Sequence, residues 1–155
     1  MNKEKVFVSF KKNQDEYVPF ISLQGLLSEN KDTEVSLKQV SKDYANLVNS
    51  LDIILNEIDS LKKAHLLIPA SKIWIFGNEI FHFIDKLSAY NFQIDDIYLH
   101  LCRDLGVKRK WLEKVIIFRR YITHVNNIPE NLNWGKCEKG TRRIAEQIQR
   151  QALDS

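Results

Sequence analysis

Leu37, Val40, Tyr44, Leu47, Leu51, Ile54, Ile58 and Leu61 follow one another in steps of three and four without a break. Side chains at that spacing share one face of a helix, and four heptads make it roughly 40 Å long at 1.5 Å per residue. Ser36 with Gln39 fits a capping box that opens this helix, after a polar connector over residues 28–35. A two-stranded coiled coil wants charges beside its seam, but Val48 and Leu55 widen the apolar stripe instead. The helix over 36–63 therefore reads as one member of a helical bundle, with a dimer seam as the alternative.

Ahead of it, KVFVSF (5–10) and YVPFISL (17–23) are rich in β-branched and aromatic residues and flank the polar KKNQDE. They predict a short hairpin, with Pro19 confining its strand to an edge or a bulge. Behind the long helix, Pro69 breaks the chain, and a second helix spans 71–88. Ile73, Gly77, Ile80, Ile84 and Leu87 form one face of it, and Trp74, Phe76, Phe81 and Phe83 make it apolar nearly all round. Gly77 costs such a helix about 1 kcal/mol relative to Ala, which a close helix crossing would explain. Asn91 suits a turn, Asp95 an N-cap with Ile94 as staple, and a basic helix near 139–152 closes the chain. The fold class is mostly α, a helical bundle with a short N-terminal β-hairpin. Its segments are an arm over 1–35, the long helix over 36–68, and a helical region with a basic tail over 69–155.

Between Asp96 and Ile122 the pattern becomes specific. Ile97, Leu101 and Leu105 share a helical face that stops at Gly106, and Lys108-Arg109-Lys110 open another helix. Two helices joined by a tight turn containing Gly make a helix-turn-helix. Leu101, Cys102 and Leu105 supply its apolar, small and apolar positions, Gly106 its left-handed turn position, and Val107 the following apolar plug. Leu112 and Val115 fall where the second helix must bury two side chains. Cys102 is then the small residue at closest approach, a structural thiol.

Charge adds direction to this reading. Residues 1–100 hold 11 Lys/Arg against 14 Asp/Glu, and residues 101–155 hold 12 against 6. A basic last third suggests a negatively charged partner, nucleic acid above all, with a solvated basic face as the bland alternative. The start of the second helix of such a motif faces the major groove. Lys108, Arg109, Lys110, Trp111 and Lys114 are the candidate contacts there, and Arg119, Arg120, Arg142 and Arg143, with Lys136 and Lys139, extend the footprint. Arg can read guanine bidentately, and Lys more often holds phosphate.

Several chemistries are not encoded. No phosphate-cradling glycine motif occurs, and Asp95-Asp96 are consecutive, as suits a cap. His65, His82, His100 and His124 are scattered. His100 and Cys102 diverge by about 200° on a helix, so they cannot share a metal. No catalytic residue, metal, cofactor or small-molecule substrate is expected, and the chain is not expected to be an enzyme. Cys102 and Cys137 form no disulfide framework, Met1-Asn2-Lys3-Glu4-Lys5 opens no signal peptide, and no apolar run approaches the roughly 20 residues of a membrane span. A cytoplasmic protein without membrane contact is the expectation.

The stretch from Trp74 to Trp134 resembles the helical N-terminal domain that precedes the PD-(D/E)XK nuclease domain in a widespread bacterial family of uncertain function. Trp74 with Gly77 and Ile80, LCRDLG at 101–106, WLEKVIIF at 111–118 and Trp134 carry the resemblance, over about 60 of the 155 residues. It implies a DNA-associated helical module of a mobile-element or nuclease-associated protein. The nuclease domain is absent from the sequence, and the helix at 36–63 has no counterpart in the resemblance. The reading is a helix-turn-helix protein that binds double-stranded DNA, as a transcription regulator or a subunit of a larger assembly, with a homodimer expected. The alternative is a helical protein-interaction or structural subunit that does not bind DNA.

Overall fold

The computed structural model describes residues 6–13, 16–21 and 31–154, and among them the fold is mostly α. Its helices are α1 (Lys31–Lys63), α2 (Ala70–Ala89), α3 (Ile97–Leu105), α4 (Arg109–Tyr121) and α5 (Thr141–Asp154). Strands β1 (Val6–Asn13), β2 (Glu16–Ile21) and β3 (Phe92–Gln93) form a small sheet in the order β2-β1-β3. The hairpin forms as expected: β1 and β2 run antiparallel, from Val8 opposite Ile21 to Asn13 opposite Glu16. Pro19 lies on the edge strand β2, where its missing N–H leaves no central ladder broken. The two-residue β3, parallel to β1 with Val6 opposite Phe92, had no sequence signal of its own. Val8 and Phe10 alternate into the core, and the Phe10 ring stacks on Tyr44 at 4.5 Å. The expected strand ends at residues 5 and 22–23 lie outside the described residues, as does the connector over 28–30.

From Lys31 onward the expected connector is already helix, and Ser36 lies inside α1 rather than at its cap. Residues 31–35 contain neither Gly nor Pro, so nothing stops the helix from extending below Ser36. The heptad face of α1 is core. Leu37, Val40, Tyr44, Leu47, Leu51 and Ile58 are buried, Ile54 and Leu61 half-buried, and α1 packs on β2, α2 and α3. Each fully buried aliphatic side chain there contributes roughly 1.5–3 kcal/mol. Lys86 faces Asp43 at 3.9 Å and Lys72 pairs with Glu57, so α1 and α2 form an antiparallel hairpin.

Backbone geometry ends α1 sharply. His65 adopts φ 57°, its N–H donates to Lys62, and the Leu66 N–H donates to Leu61. This is a Schellman closure with His in the left-handed position usually taken by Gly. The following strand-like contact holds the turn in place: the Trp134 N–H donates to Ile68 at 2.7 Å and the Ala70 N–H to Leu132 at 3.0 Å.

Helix α2 is wrapped by neighbours, as its all-round apolarity predicts. Ile73, Phe76, Ile80, Phe83 and Leu87 are buried between α1 and α4. At Gly77, a Cβ would lie 2.8 Å from the Arg119 Cβ and 3.3 Å from the Val115 carbonyl oxygen. The glycine is where α2 and α4 cross. One core then runs from Val8 through Leu112 and Phe118 to Ala145 and Ile148 of α5.

Candidate nucleic-acid interface

The turn between α3 and α4 has the geometry that its sequence requires. Gly106 adopts φ 70°, ψ 31°, and its N–H donates to the Cys102 carbonyl at 2.9 Å. A Cβ on Gly106 would meet nothing within 4 Å, so glycine is needed there for the left-handed backbone and not for space. Leu112 and Val115 are fully buried, as the motif demands. Cys102 is half-buried, and burial pushes its thiol up from the ordinary value. Cys137 is buried, and its thiol is pushed up to about 11 by desolvation. Both resist ionisation, as structural thiols do.

The N-cap of α3 is Asp96, not Asp95. Asp96 takes φ 50°, ψ 66°, a region Asp tolerates better than most residues, and its carboxylate accepts from the Leu99 N–H at 3.3 Å. The same carboxylate receives a guanidinium fork. Arg109 Nη1 and Nη2 donate to Asp96 at 2.8 and 3.1 Å, while Arg109 Nε donates to Glu113 at 3.2 Å. Hydrogen bonding from Arg109 holds the Asp96 carboxyl below its ordinary value, and Asp96 raises the guanidinium in turn. Arg109 thus ties the start of α3 to the start of α4 and orients the turn. In this conformation its fork is occupied and does not face outward as a base reader.

The other candidate residues divide in the same way. Trp111 is half-buried and edge-on to Phe76, with centroids 5.3 Å apart, so it anchors α4 on α2. Arg119 is sunk between the two helices. Its guanidinium lies 4.7 Å from the Trp74 ring centre and 4.9 Å from that of Phe81, Nε donates to Asn78 at 2.9 Å, and Nη1 donates to the Ile122 carbonyl at 3.4 Å. Burial lowers its pKa. Arg119 is a packing residue. Sequence alone could not separate it from its exposed neighbour Arg120, because both stand in one basic run.

Lys108 and Lys110 are exposed and Lys114 half-exposed, and none of them enters a salt bridge among the described residues. Lys108 is the N-cap residue of α4, and no side chain caps that helix. A lysine cannot accept a hydrogen bond, so the first-turn N–H groups and the positive end of the helix dipole stay open. Lys110, Lys114, Ile117 and Tyr121 then share the outward face of α4 by helical spacing. At its far end the Arg142 guanidinium lies 5.2 Å from the Tyr121 ring centre, while Arg142 Nε donates to Glu146 at 3.2 Å. Arg143 is exposed beside Gly140 at the start of α5.

Fold and site together define a helical protein with two helices joined at a left-handed glycine and an unpaired basic face on the second. No family model, curated protein or solved structure matches the chain. Among the described residues no helix is long and apolar enough to cross a membrane, and no cluster of His, Cys, Asp or Glu could hold a metal ion.

Proposed function

We propose that this protein binds double-stranded DNA with the start of α4 against the duplex. The observation that carries the reading is the set of unpaired cations Lys108, Lys110 and Lys114 around an uncapped helix start. Lys108 and Lys110, unpaired at the helix start, oppose the helix dipole by a few tenths of a kcal/mol each, a cost that a nearby phosphate offsets. Lys108 and Lys110 hold phosphate oxygens beside the first-turn amides, and Lys114 extends the contact one turn along α4. Arg109 serves as a positioning residue, setting the angle between α3 and α4. Arg120, Arg142 and Arg143 add diffuse charge at the far end. The protein acts as a regulator or as the DNA-binding subunit of a larger nuclease-associated assembly, and it works as a homodimer that places two α4 helices on one duplex.

Fluorescence anisotropy with a labelled duplex of about 25 base pairs, titrated over roughly 50–200 mM salt, tests this. Binding should weaken with salt, and Lys110→Ala and Lys114→Ala should each flatten the log–log slope by about one while lowering affinity on every sequence. Absence of binding by the wild-type chain at the lowest salt overturns the proposal and favours a protein-interaction role for the basic face.

A further inference from the structure

Arg109 stands between Lys108 and Lys110 at the first position of α4, and of the three it alone enters a salt bridge among the described residues. Its Nη1 and Nη2 donate across the turn to Asp96 at 2.8 and 3.1 Å, and its Nε donates along α4 to Glu113 at 3.2 Å. All three side chains are open to water, 45% exposed for Arg109, 38% for Asp96 and 53% for Glu113. Exposed ion pairs hold weakly and are screened by salt, so a competing anion can take the place of one partner. A carboxylate and a phosphate offer a guanidinium the same fitting, two anionic oxygens that accept its planar fork of N–H groups.

We propose that Asp96 is a built-in stand-in for phosphate, which holds Arg109 in the free protein and yields it to a backbone phosphate when a duplex meets the start of α4. The inference rests on the functional reading above and adds a fourth contact to Lys108, Lys110 and Lys114. The fold tolerates the exchange. Leu112 and Val115 stay fully buried, and the Gly106 N–H donates to the Cys102 carbonyl at 2.9 Å, so the turn does not depend on the fork. Asp96 keeps its role as cap through the Leu99 N–H, which donates to its carboxylate at 3.3 Å. The Nε bond to Glu113 lies within α4 and steadies the Arg109 stem while Nη1 and Nη2 change partners. Charge gives the exchange its direction. Asp96 is a single tethered anion, whose high local concentration keeps a lone dissolved anion from displacing it. A duplex brings a row of phosphates that engage Lys108 and Lys110 together and release their counter-ions. Asp96 is therefore a brake on binding, and it is released only by a polyanion that meets the neighbouring lysines as well.

Asp96→Asn, titrated as the full chain against a labelled duplex of about 25 base pairs over roughly 50–200 mM salt, tests the exchange. Asn caps helices as well as Asp does and tolerates the left-handed backbone, so the variant removes the charge and keeps the turn. It should bind the duplex about two- to fivefold more tightly than wild type at the lowest salt, with a log–log slope steeper by up to about one. Asp95→Asn removes an equal charge one residue away, outside the fork, and should tighten binding less. With Arg109→Ala in place, Asp96→Asn should gain no more than Asp95→Asn does. A fork that only orients the turn predicts unchanged or weaker binding by Asp96→Asn. That result, or a gain that survives Arg109→Ala in full, overturns this inference and leaves the functional reading standing. Absence of duplex binding by wild type and Asp96→Asn alike overturns both.

Discussion

At the start of α4, Lys108 and Lys110 stand in water with no ionic partner among the described residues, while about three turns on Arg119 lies between Trp74 and Phe81 and donates to Asn78. Both ends are basic in sequence, but Arg119 is closed to an outside anion whereas Lys108 and Lys110 are open to one. The difference comes from what each end packs against. The C-terminal half of α4 crosses α2 at Gly77, where the missing side chain lets the Arg119 stem lie flat on the neighbouring helix. The N-terminal end follows the Gly106 turn and projects past α3. A count of cations therefore does not locate a binding face. The unpartnered ones do.

The sharpest way to break this comparison is to remove one cation from each end. Arg119→Ala abolishes two partly buried hydrogen bonds, two cation–π contacts and the packing of the stem, and should cost about 2 kcal/mol and lower the melting temperature by roughly 5 °C. Lys110→Ala, measured beside it by thermal denaturation, should stay within about 0.5 kcal/mol of wild type. Equal losses from the two variants would refute the division of α4 into a packed and an open end.

A smaller effect should follow at the turn that sets the open end apart. Gly106→Val forces a β-branched residue to φ 70° and should cost about 1–2 kcal/mol in urea denaturation, although the site has room for the side chain. Gly106→Ala should cost less. A neutral Gly106→Val would mean that the turn can relax out of the left-handed region.

The smallest effect concerns the Asp96–Arg109 fork, which is exposed and therefore screened. Its signature is pH dependence. The folded-state value of Asp96 lies below the ordinary 3.8, so the fork contributes stability above that pH and loses it as pH falls through the depressed folded value. Stability of the wild type, followed from pH 6 down to 2, should therefore decline more below about pH 4 than that of Asp96→Asn. Parallel curves for the two proteins would show that the fork does not hold in solution.

Periodicity was sufficient for most of the helical layout. The steps from Leu37 to Leu61, the all-round apolarity of α2 and the Leu101, Gly106, Leu112, Val115 spacing are local properties of the chain, and each of these patterns falls on the helices it predicts, the long one starting earlier than expected at Lys31. Gly106 could be read as left-handed because the steric cost of that conformation depends on the residue itself. Gly77 could likewise be read as a close crossing from its position in an apolar helix. Tertiary structure decided the rest. The boundary at Ser36 dissolved because a capping pair is also acceptable inside a helix when no residue upstream breaks it. The α1 seam became core once α2, β2 and α3 were found against it, and β3 exists only because β1 lies alongside. Arg109 and Arg119 looked like free cations, and their partners, Asp96 for one and Trp74, Asn78 and Phe81 for the other, come from elements distant in the chain. A charge on one helix carries no mark of what the fold will bring beside it, so which cations stay open to a phosphate depends on long-range packing and not on local sequence.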